Sequence, residues 1–179
     1  AFKFPPLPRH DLPFFICPFP AEEGLTMIED RLDLIERIGH AGVTALDLSL
    51  YEISLGLLEE RGILEDVLAA EPDMEKSELR ELLQGVLDVH EHLIPKIAEA
   101  IAAQPHDVIF LSGVGEVYPY IRSHNVLNNL QSTAKDKPTV LFFPGSYTHS
   151  TATGGSLDLF GLLHDDKYYR AFNILNYEV

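Results

Sequence analysis

The sequence has no tryptophan, a single cysteine and few basic residues. The shortages of cysteine and of basic residues each exclude certain kinds of binding site. Cys17 alone cannot form an intramolecular disulfide or a zinc site built from several cysteines, and one thiol suits a reducing compartment. The longest apolar runs, Val108–Leu111 and Val140–Phe143, fall far short of the roughly 20 residues that a membrane span needs. No basic-then-apolar segment opens the chain, so no signal peptide is predicted. These features predict a cytoplasmic protein without a membrane segment.

Acidic residues are concentrated between residues 20 and 100, where 20 Asp/Glu against 6 Lys/Arg give a net charge of −14. Residues 101–179 are nearly neutral, with 7 acidic and 5 basic residues, and they hold 11 of the 17 aromatic residues. Nucleic-acid binding depends on cationic side chains that release counterions from phosphates, so the acidic half opposes direct contact with DNA or RNA. That half suits solubility, the favoured interpretation, or contact with a basic patch on a protein partner.

The order of the periodic segments predicts one α/β domain over residues 1–179. Apolar or alternating runs predict strands at Leu12–Phe19, Val43–Leu50, Asp107–Leu111 and Thr139–Phe143, and Tyr168–Leu175 is a candidate last strand. Runs that are apolar on both faces belong in the middle of a sheet covered by helices. The predicted fold is therefore a mostly parallel central sheet flanked by helices, either Rossmann-like or a degenerate form of the P-loop fold.

The first crossover is predicted to be a helix between the first two strands. Thr26 and Glu29 have the spacing of a capping box, and Gly39 and Gly42 offer a stop. The predicted core-facing stripe has alternating spacings of three and four and consists of Leu25, Ile28, Leu32, Ile35 and Ile38.

The second crossover is predicted to be much larger than one helix. Residues 51–104 read as a helical insertion, in which Ser77 is predicted to cap one helix. A later helix is predicted over Glu116–Ser132, provided that Pro119 lies in its first turn. The segment Ser146–Ser156 is rich in Ser, Thr and Gly and is predicted to be a mobile loop.

Nucleotide binding is the first function that a strand–helix–strand chain suggests, but the loop after the first strand does not fit it. A phosphate-binding loop needs glycines after a strand, a helix N-terminus facing the anion and a lysine for the outer phosphates. In the segment Pro18–Gly24, the two prolines have no backbone N–H to donate, and two carboxylates repel phosphate. None of the six lysines lies in a Gly-Lys-Ser/Thr setting. The sequence therefore predicts neither ATP hydrolysis nor a bound cofactor.

The strongest remaining ligand candidate is the pair of loops that follow the two most apolar strands. Strand C-termini are where open α/β sheets bind ligands, and two such loops from adjacent strands line one crevice. A Gly-x-Gly pair is also common in ordinary turns, and a structural turn is the favoured interpretation. The candidate ligand-binding residues are Ser112, Gly113, Gly115, Arg122, Asn128, Asn129 and Gly145, with His124 on the intervening helix.

No residue set passes a chemical test for catalysis or metal binding. His90 and His92 point about 200° apart on a helix, so one ion cannot bind both, and solvated or capping histidines are favoured. A Gly-x-Ser-x-Gly turn is absent, and Cys17 lies in an apolar strand where a thiolate is disfavoured. The sequence therefore predicts no catalytic residue, no metal site and no enzyme activity.

A second candidate surface lies near the end of the chain. Tyr168, Tyr169, Arg170 and Phe172 form either an exposed patch that binds a partner or the edge of the core, and both interpretations stay open. If the patch is exposed, the near-neutral, aromatic half of the chain presents it to a partner protein together with the strand-end loops.

Several segments together resemble one known family. The most specific has Gly-Val-Gly, Tyr-Pro, Arg-Ser-His and Leu-Asn-Asn-Leu in order within DVIFLSGVGEVYPYIRSHNVLNNLQ. The others are PFFICPF, LDLSLYEISLGLLEERG, TVLFFPGSY and SLDLFGLLHDDKYYRAFNI. The chain resembles the BrxB family, which is encoded in BREX (bacteriophage exclusion) operons, over nearly its whole length, with least support across residues 64–106.

The resemblance implies membership of a multi-protein complex that restricts phage replication and accompanies host DNA methylation. The companions that it implies are an ATPase, a DNA methyltransferase and the alkaline-phosphatase-like protein PglZ. The implied role is an adaptor or scaffold, with PglZ as the favoured partner, and the resemblance brings no catalytic residue with it. The alternative is a degenerate nucleotide-sensing domain that uses Ser112–Gly115 and Arg122.

Overall fold

Seven strands and six α-helices make up the computed structural model, which describes residues 14–130, 132–150, 154–166 and 171–177. The strands are β1 (Phe14–Phe19), β2 (Ala45–Ser49), β3 (Val108–Ser112), β4 (Thr139–Ser150), β5 (Gly154–Leu159), β6 (Leu163–Asp166) and β7 (Phe172–Asn173). The helices are α1 (Gly24–His40), α2 (Leu50–Glu60), α3 (Leu64–Ala70), α4 (Lys76–Val86), α5 (Ile94–Ala103) and α6 (Ser123–Leu130). A π-helical turn spans Val89–Leu93, and 3₁₀ turns span Ala21–Glu23, Glu71–Asp73 and Ile174–Asn176.

Five strands form a parallel sheet in the order β2-β3-β4-β1-β7. The predicted fold class, an α/β domain with a mostly parallel sheet flanked by helices, is confirmed. The Rossmann order places the first two strands side by side, whereas here β3 and β4 lie between β1 and β2. The first crossover therefore carries the chain across two strand positions before β2 begins.

Side chains of the central strands alternate strictly between two cores because successive residues of a strand point to opposite faces of the sheet. In β3, Val108 and Phe110 face one core, and Ile109 and Leu111 face the other. The strands β1 and β4 divide in the same way. This two-sided burial explains why their sequences are apolar without interruption.

The helices cover the two faces unequally. Side chains from α2 to α6 pack on the larger core, so the predicted helical insertion forms one layer of the fold. On the opposite face, α1 and the C-terminal segment from Phe172 to Ile174 pack on the smaller core. The described residues thus form three layers, with the sheet between α1 and the helices of the insertion.

Of the five residues predicted to face the core from α1, two pack on the sheet and three do not. Ile35 and Ile38 pack on the sheet together with Met27 and Leu34. Leu25, Ile28 and Leu32 instead face outward, with exposed fractions of 81%, 44% and 53%. The helix carries two apolar stripes, and the 3-4 spacing does not show which of them meets the sheet.

Several predicted helix boundaries are wrong. Thr26 and Ser77 lie inside α1 and α4, which begin at Gly24 and Lys76 and have no side-chain caps. The helix predicted over Glu116–Ser132 begins only at Ser123, because Pro119 lies in a series of turns between β3 and α6. Thr26 and Ser77 lie within two residues of the observed helix starts, which is the usual uncertainty of a helix terminus.

The segment predicted as a mobile loop over Ser146–Ser156 is mostly strand. β4 continues past Gly145, pairs antiparallel with β5, and β5 pairs with β6. Residues 151–153 lie outside the described part. Polar β-branched and small residues fit a strand that leaves the central sheet, and here backbone pairing decides the structure. Of the predicted last strand Tyr168–Leu175, only Phe172–Asn173 is described as a strand, paired with β1.

Thr139 provides a stability test of the core. Its side chain is 1% exposed, and its Oγ1 has no hydrogen-bond partner within the described structure. Because a buried hydroxyl without a partner loses its water without compensation, Thr139→Val is expected to raise the free energy of unfolding by about 1 kcal/mol. Urea unfolding measures the change, with the exposed Thr44→Val as the matched control. A loss of stability in Thr139→Val alone would contradict this account of the hydroxyl.

Candidate functional site

The strand-end loops lie side by side, as expected, because β3 and β4 are neighbours in the sheet. Ser112 is the last residue of β3 and pairs with Ser49 of β2. Gly113 follows it with a φ of 84°, a left-handed conformation that favours glycine. Gly145 lies at the point where β4 leaves the central sheet.

Gly113 lies directly against the start of α2. A Cβ on Gly113 would lie 2.9 Å from the backbone nitrogen of Tyr51 and 3.1 Å from that of Leu50. The same atom would lie 3.2 Å from the Oγ of Ser49, which accepts a hydrogen bond from the backbone N–H of Glu52 and caps α2. The absence of a side chain at residue 113 therefore lets the loop approach the first turn of α2.

Gly115 and Gly145 lie against the hairpin formed by β5 and β6. A Cβ on Gly145 would lie 2.0 Å from the carbonyl oxygen of Asp158. A Cβ on Gly115 would lie 3.0 Å from the Phe160 ring and 3.2 Å from Pro144. The backbone N–H of Phe160 donates to the carbonyl oxygen of Pro144 at 2.8 Å and holds the hairpin turn against β4. The protein itself occupies the space beside these two glycines.

The candidate residues around α6 have separate environments. Arg122 and Asn128 are exposed, and the side-chain amide of Asn129 donates to the carbonyl oxygen of Asn125 at 2.7 Å. His124 is buried. Through its apolar face α6 packs on the larger core with α5 and the π-helical turn. The prediction that these residues bind a ligand stays a prediction.

The loop after β1 has the exposed carboxylates that its sequence implies. Glu22 and Glu23 lie in the 3₁₀ turn Ala21–Glu23, at the C-terminal end of β1, and both are exposed. Carboxylates at this end of a parallel sheet repel an anionic ligand. The local charge therefore opposes phosphate binding at this loop.

The C-terminal candidate patch is only partly described. Tyr168, Tyr169 and Arg170 lie outside the described residues. The Phe172 ring is half-buried, with its centroid 6.1 Å from that of Phe15 and 6.3 Å from that of Tyr177. Phe172 thus lies at the sheet edge, and whether the patch binds a partner stays a prediction.

Tyr147 joins the hairpin to the segment that follows residue 170. Its buried hydroxyl donates to the carbonyl oxygen of Ala171 at 2.8 Å. Burial raises the pKa of the Tyr147 phenol, and the hydrogen bond from the phenol to Ala171 opposes that shift. The phenol therefore stays protonated and keeps its donor role over the physiological range.

His90 and His92 lie in the π-helical turn that Asp88 caps. The Asp88 carboxylate accepts hydrogen bonds from the backbone N–H groups of Glu91 and His90, at 2.9 and 2.8 Å. These bonds, that of Glu91 first, lower the pKa of Asp88. Among the described residues, no three His, Cys, Asp or Glu side chains gather as a metal site would require. Burial raises the pKa of the Cys17 thiol, which disfavours the nucleophilic thiolate.

The described residues line two shallow grooves, one between two helices and one where a helix meets the sheet. One, of about 410 Å³, lies between α2 and α5 and is lined by Ile53, Gly56, Lys96 and Ala100. Lys96 forms ion pairs there with Glu60 and Glu99, so its charge is already balanced. The other, of about 580 Å³, lies where α5 meets β3 and includes His106, Asp107 and Lys137. Neither groove contains the strand-end residues singled out from the sequence.

The outward face of α1 is a surface that the sequence analysis missed. Its three exposed apolar residues, Leu25, Ile28 and Leu32, are the ones that the 3-4 spacing wrongly predicts to face the core. The signal in the sequence was Met27 and Leu34, which together with Ile35 and Ile38 form the apolar stripe that packs on the sheet. In the part of the chain that the structure describes, no helix has both the length and the apolar character to cross a bilayer.

Comparison with known proteins gives a consistent result. A family model described as BREX protein BrxB matches residues 46–174. A BREX protein BrxB of Bacillus cereus (strain H3081.97) is 33% identical over 171 residues, which cover 93% of this chain and 85% of that protein. A BREX protein BrxB of Escherichia coli O9:H4 (strain HS) is 26% identical over 166 residues, covering 93% of this chain and 80% of that protein. No solved structure gives a significant match.

Proposed function

The chain belongs to the BrxB family of BREX phage-defence proteins, and on that premise we propose that it is a non-catalytic adaptor that binds PglZ. The observation that carries the proposal is the packing at the strand ends. Open α/β sheets bind small ligands at these ends. Here Gly113 approaches α2, and Gly145 approaches the β5–β6 hairpin, so the glycines serve contacts within the chain.

The hairpin tip supports a protein partner. Leu162 is 84% exposed, and Phe160 and Leu163 beside it are also exposed. Apolar side chains clustered at a hairpin tip favour contact with another protein, because burying them in an interface removes them from water. The tip belongs to the near-neutral, aromatic half of the chain, which also contains Tyr168–Phe172. We therefore assign the PglZ-binding surface to this half.

We propose that the acidic side chains of α2 and α3 keep the protein soluble and do not contact PglZ. Glu59, Glu60, Glu65 and Asp66 are all exposed on these two helices. Exposed carboxylates in high dielectric contribute little to affinity unless a basic surface opposes them. The proposal therefore predicts that reversing their charge leaves PglZ binding nearly intact.

A pull-down with purified PglZ of the same BREX system tests the proposal. Tyr169→Ala is expected to weaken capture of PglZ at least about tenfold, since aromatic residues are the usual hot spots of interfaces. Reversal of the four carboxylates to lysine is expected to change capture by less than about threefold at physiological ionic strength. The opposite pattern would reject this division of the surface, and failure of PglZ to bind the unaltered chain would reject the adaptor role.

The nucleotide-sensing alternative has a separate test. A ligand present at 100 times its dissociation constant raises the free energy of unfolding by about 2.7 kcal/mol, which a thermal-shift screen detects. We expect no shift with ATP, GTP or NAD. A shift that disappears in Arg122→Ala would favour a nucleotide site at Ser112–Gly115.

A further inference from the structure

The outer face of α1, defined by Leu25, Ile28 and Leu32, is an apolar strip along the side of the protein that lies opposite the helical insertion. Its residues are separated by three and then four positions, so they align along one side of the helix. That spacing is the one with which helices pack against each other as coiled coils do. The strip therefore has the geometry to receive a second helix.

A row of carboxylates runs along one flank of this strip. Glu29 and Glu36 of α1 and Glu22 of the preceding 3₁₀ turn are seven residues apart and all exposed. None of the three forms an ion pair with another side chain in the described structure. On the opposite flank, Arg31 is already ion-paired with Asp47 of β2. The strip is thus bordered by negative charge that other described residues do not neutralise.

We propose that the outer face of α1 binds an amphipathic helix of a partner protein that carries lysine or arginine beside its apolar stripe. Apolar residues of that helix pack on Leu25, Ile28 and Leu32, and its basic residues lie against the three glutamates. Flanking charges set the choice of partner when helices pair in this way. This surface consists of residues other than those assigned to PglZ, so the proposal, which rests on the proposed function for the word adaptor, gives the adaptor a second binding surface.

The same charges argue against the other occupants of an exposed apolar strip. A second copy of the chain would bring its own glutamates against Glu29 and Glu36 whenever the two helices pair antiparallel along this flank, and like charges repel there. A membrane surface attracts amphipathic helices whose polar flanks are basic, whereas this flank is acidic. A basic amphipathic helix is the occupant whose charge complements the glutamates.

The test uses two synthetic helical peptides, each about three heptads long, with leucine at the core positions and either lysine or glutamate at the flanking positions. The whole chain carries labelled methyl groups, and nuclear magnetic resonance follows the Leu25, Ile28 and Leu32 signals at low ionic strength. We expect the lysine peptide to shift these signals and to bind at least about tenfold more tightly than the glutamate peptide. The triple variant Glu22→Lys, Glu29→Lys, Glu36→Lys is expected to reverse the preference.

Matched controls distinguish binding at this surface from non-specific hydrophobic binding elsewhere on the protein. The variant Leu25→Ala, Ile28→Ala, Leu32→Ala should lose the binding, whereas Leu175→Ala, which alters an exposed leucine elsewhere, should keep it. Circular dichroism checks that each variant remains folded.

Absent binding, equal binding of both peptides, or shifts confined to the hairpin would overturn the proposal. Binding that appears only after removal of residues 1–13 would also overturn it, because that segment would then be the occupant. PglZ capture is measured separately, so the two proposals fail independently.

Discussion

Gly145→Ala is expected to lower the free energy of unfolding by about 3–5 kcal/mol, among the largest effects of a single substitution. Two causes combine. Gly145 has a φ of 150°, which L side chains rarely adopt, and that conformation alone costs about 1–3 kcal/mol. A Cβ there would also lie 2.0 Å from the carbonyl oxygen of Asp158, a backbone atom that moves only with β5. The alanine must therefore displace the hairpin from β4.

Thermal unfolding measures this effect, and Gly161→Ala is the control. The expected decrease in Tm is about 10 °C for a domain of this size. Gly161 also has a positive φ, 69°, but a Cβ there would meet no atom within 4 Å. Gly161→Ala is thus expected to cost only the conformational strain, about 1 kcal/mol. Equal effects in the two variants would mean that the hairpin does not press on β4 at residue 145.

The central strands could be predicted from the sequence because burial on both faces leaves a strong pattern. Val108–Leu111 and Val140–Phe143 are apolar at every position, and helices cover both faces of these strands. The neighbouring positions of β3 and β4, and hence of the two strand-end loops, were a conjecture from the order of the strands along the chain, and the pairing of β3 with β4 agrees with it. The order of the other strands did not follow, since the lengths of the connections do not show which strands a crossover passes.

The faces of α1 could not be assigned from periodicity. Leu25, Ile28 and Leu32 have the same spacing as the residues that do pack, such as Leu34 and Ile38. A helix with two apolar stripes offers two orientations, and the sheet decides between them. Here the sheet selects the stripe that places Arg31 next to Asp47 of β2, where the two form an ion pair.

The role of the strand-end glycines was also ambiguous in the sequence. Glycine is needed both where a ligand approaches the backbone and where another segment of the chain does so. At residue 145 the approaching segment is β5, which pairs with a region that reads as a polar loop. Local propensity carries no information about such a contact between Gly145 and Asp158, because it forms only when the hairpin folds back.

Gly113→Ala is expected to destabilise the free protein by about 2–3 kcal/mol, mainly through α2. A Cβ on Gly113 would lie 2.9 Å from the backbone nitrogen of Tyr51, and α2 begins directly after β2, so no loop residue lies between them to absorb the displacement. Gly42 is a closely matched control, because its φ of 81° is nearly that of Gly113, 84°, and a Cβ at Gly42 would meet no atom within 4 Å. Strain from φ alone, expected to be about 1 kcal/mol, is therefore measured by Gly42→Ala.

The difference between the two variants in urea unfolding isolates the contact with α2 and bears on the function of the loop. If Gly113 served only to let a ligand approach, its alanine variant would cost the free protein no more than Gly42→Ala, and only ligand binding would suffer. If Gly113 serves the packing of α2, the extra loss of stability occurs without any ligand. We expect the second result, because the atoms nearest to residue 113 are backbone nitrogens of Leu50 and Tyr51. A glycine needed for this packing is accounted for without a nucleotide, which favours the proposed adaptor role over the nucleotide-sensing alternative.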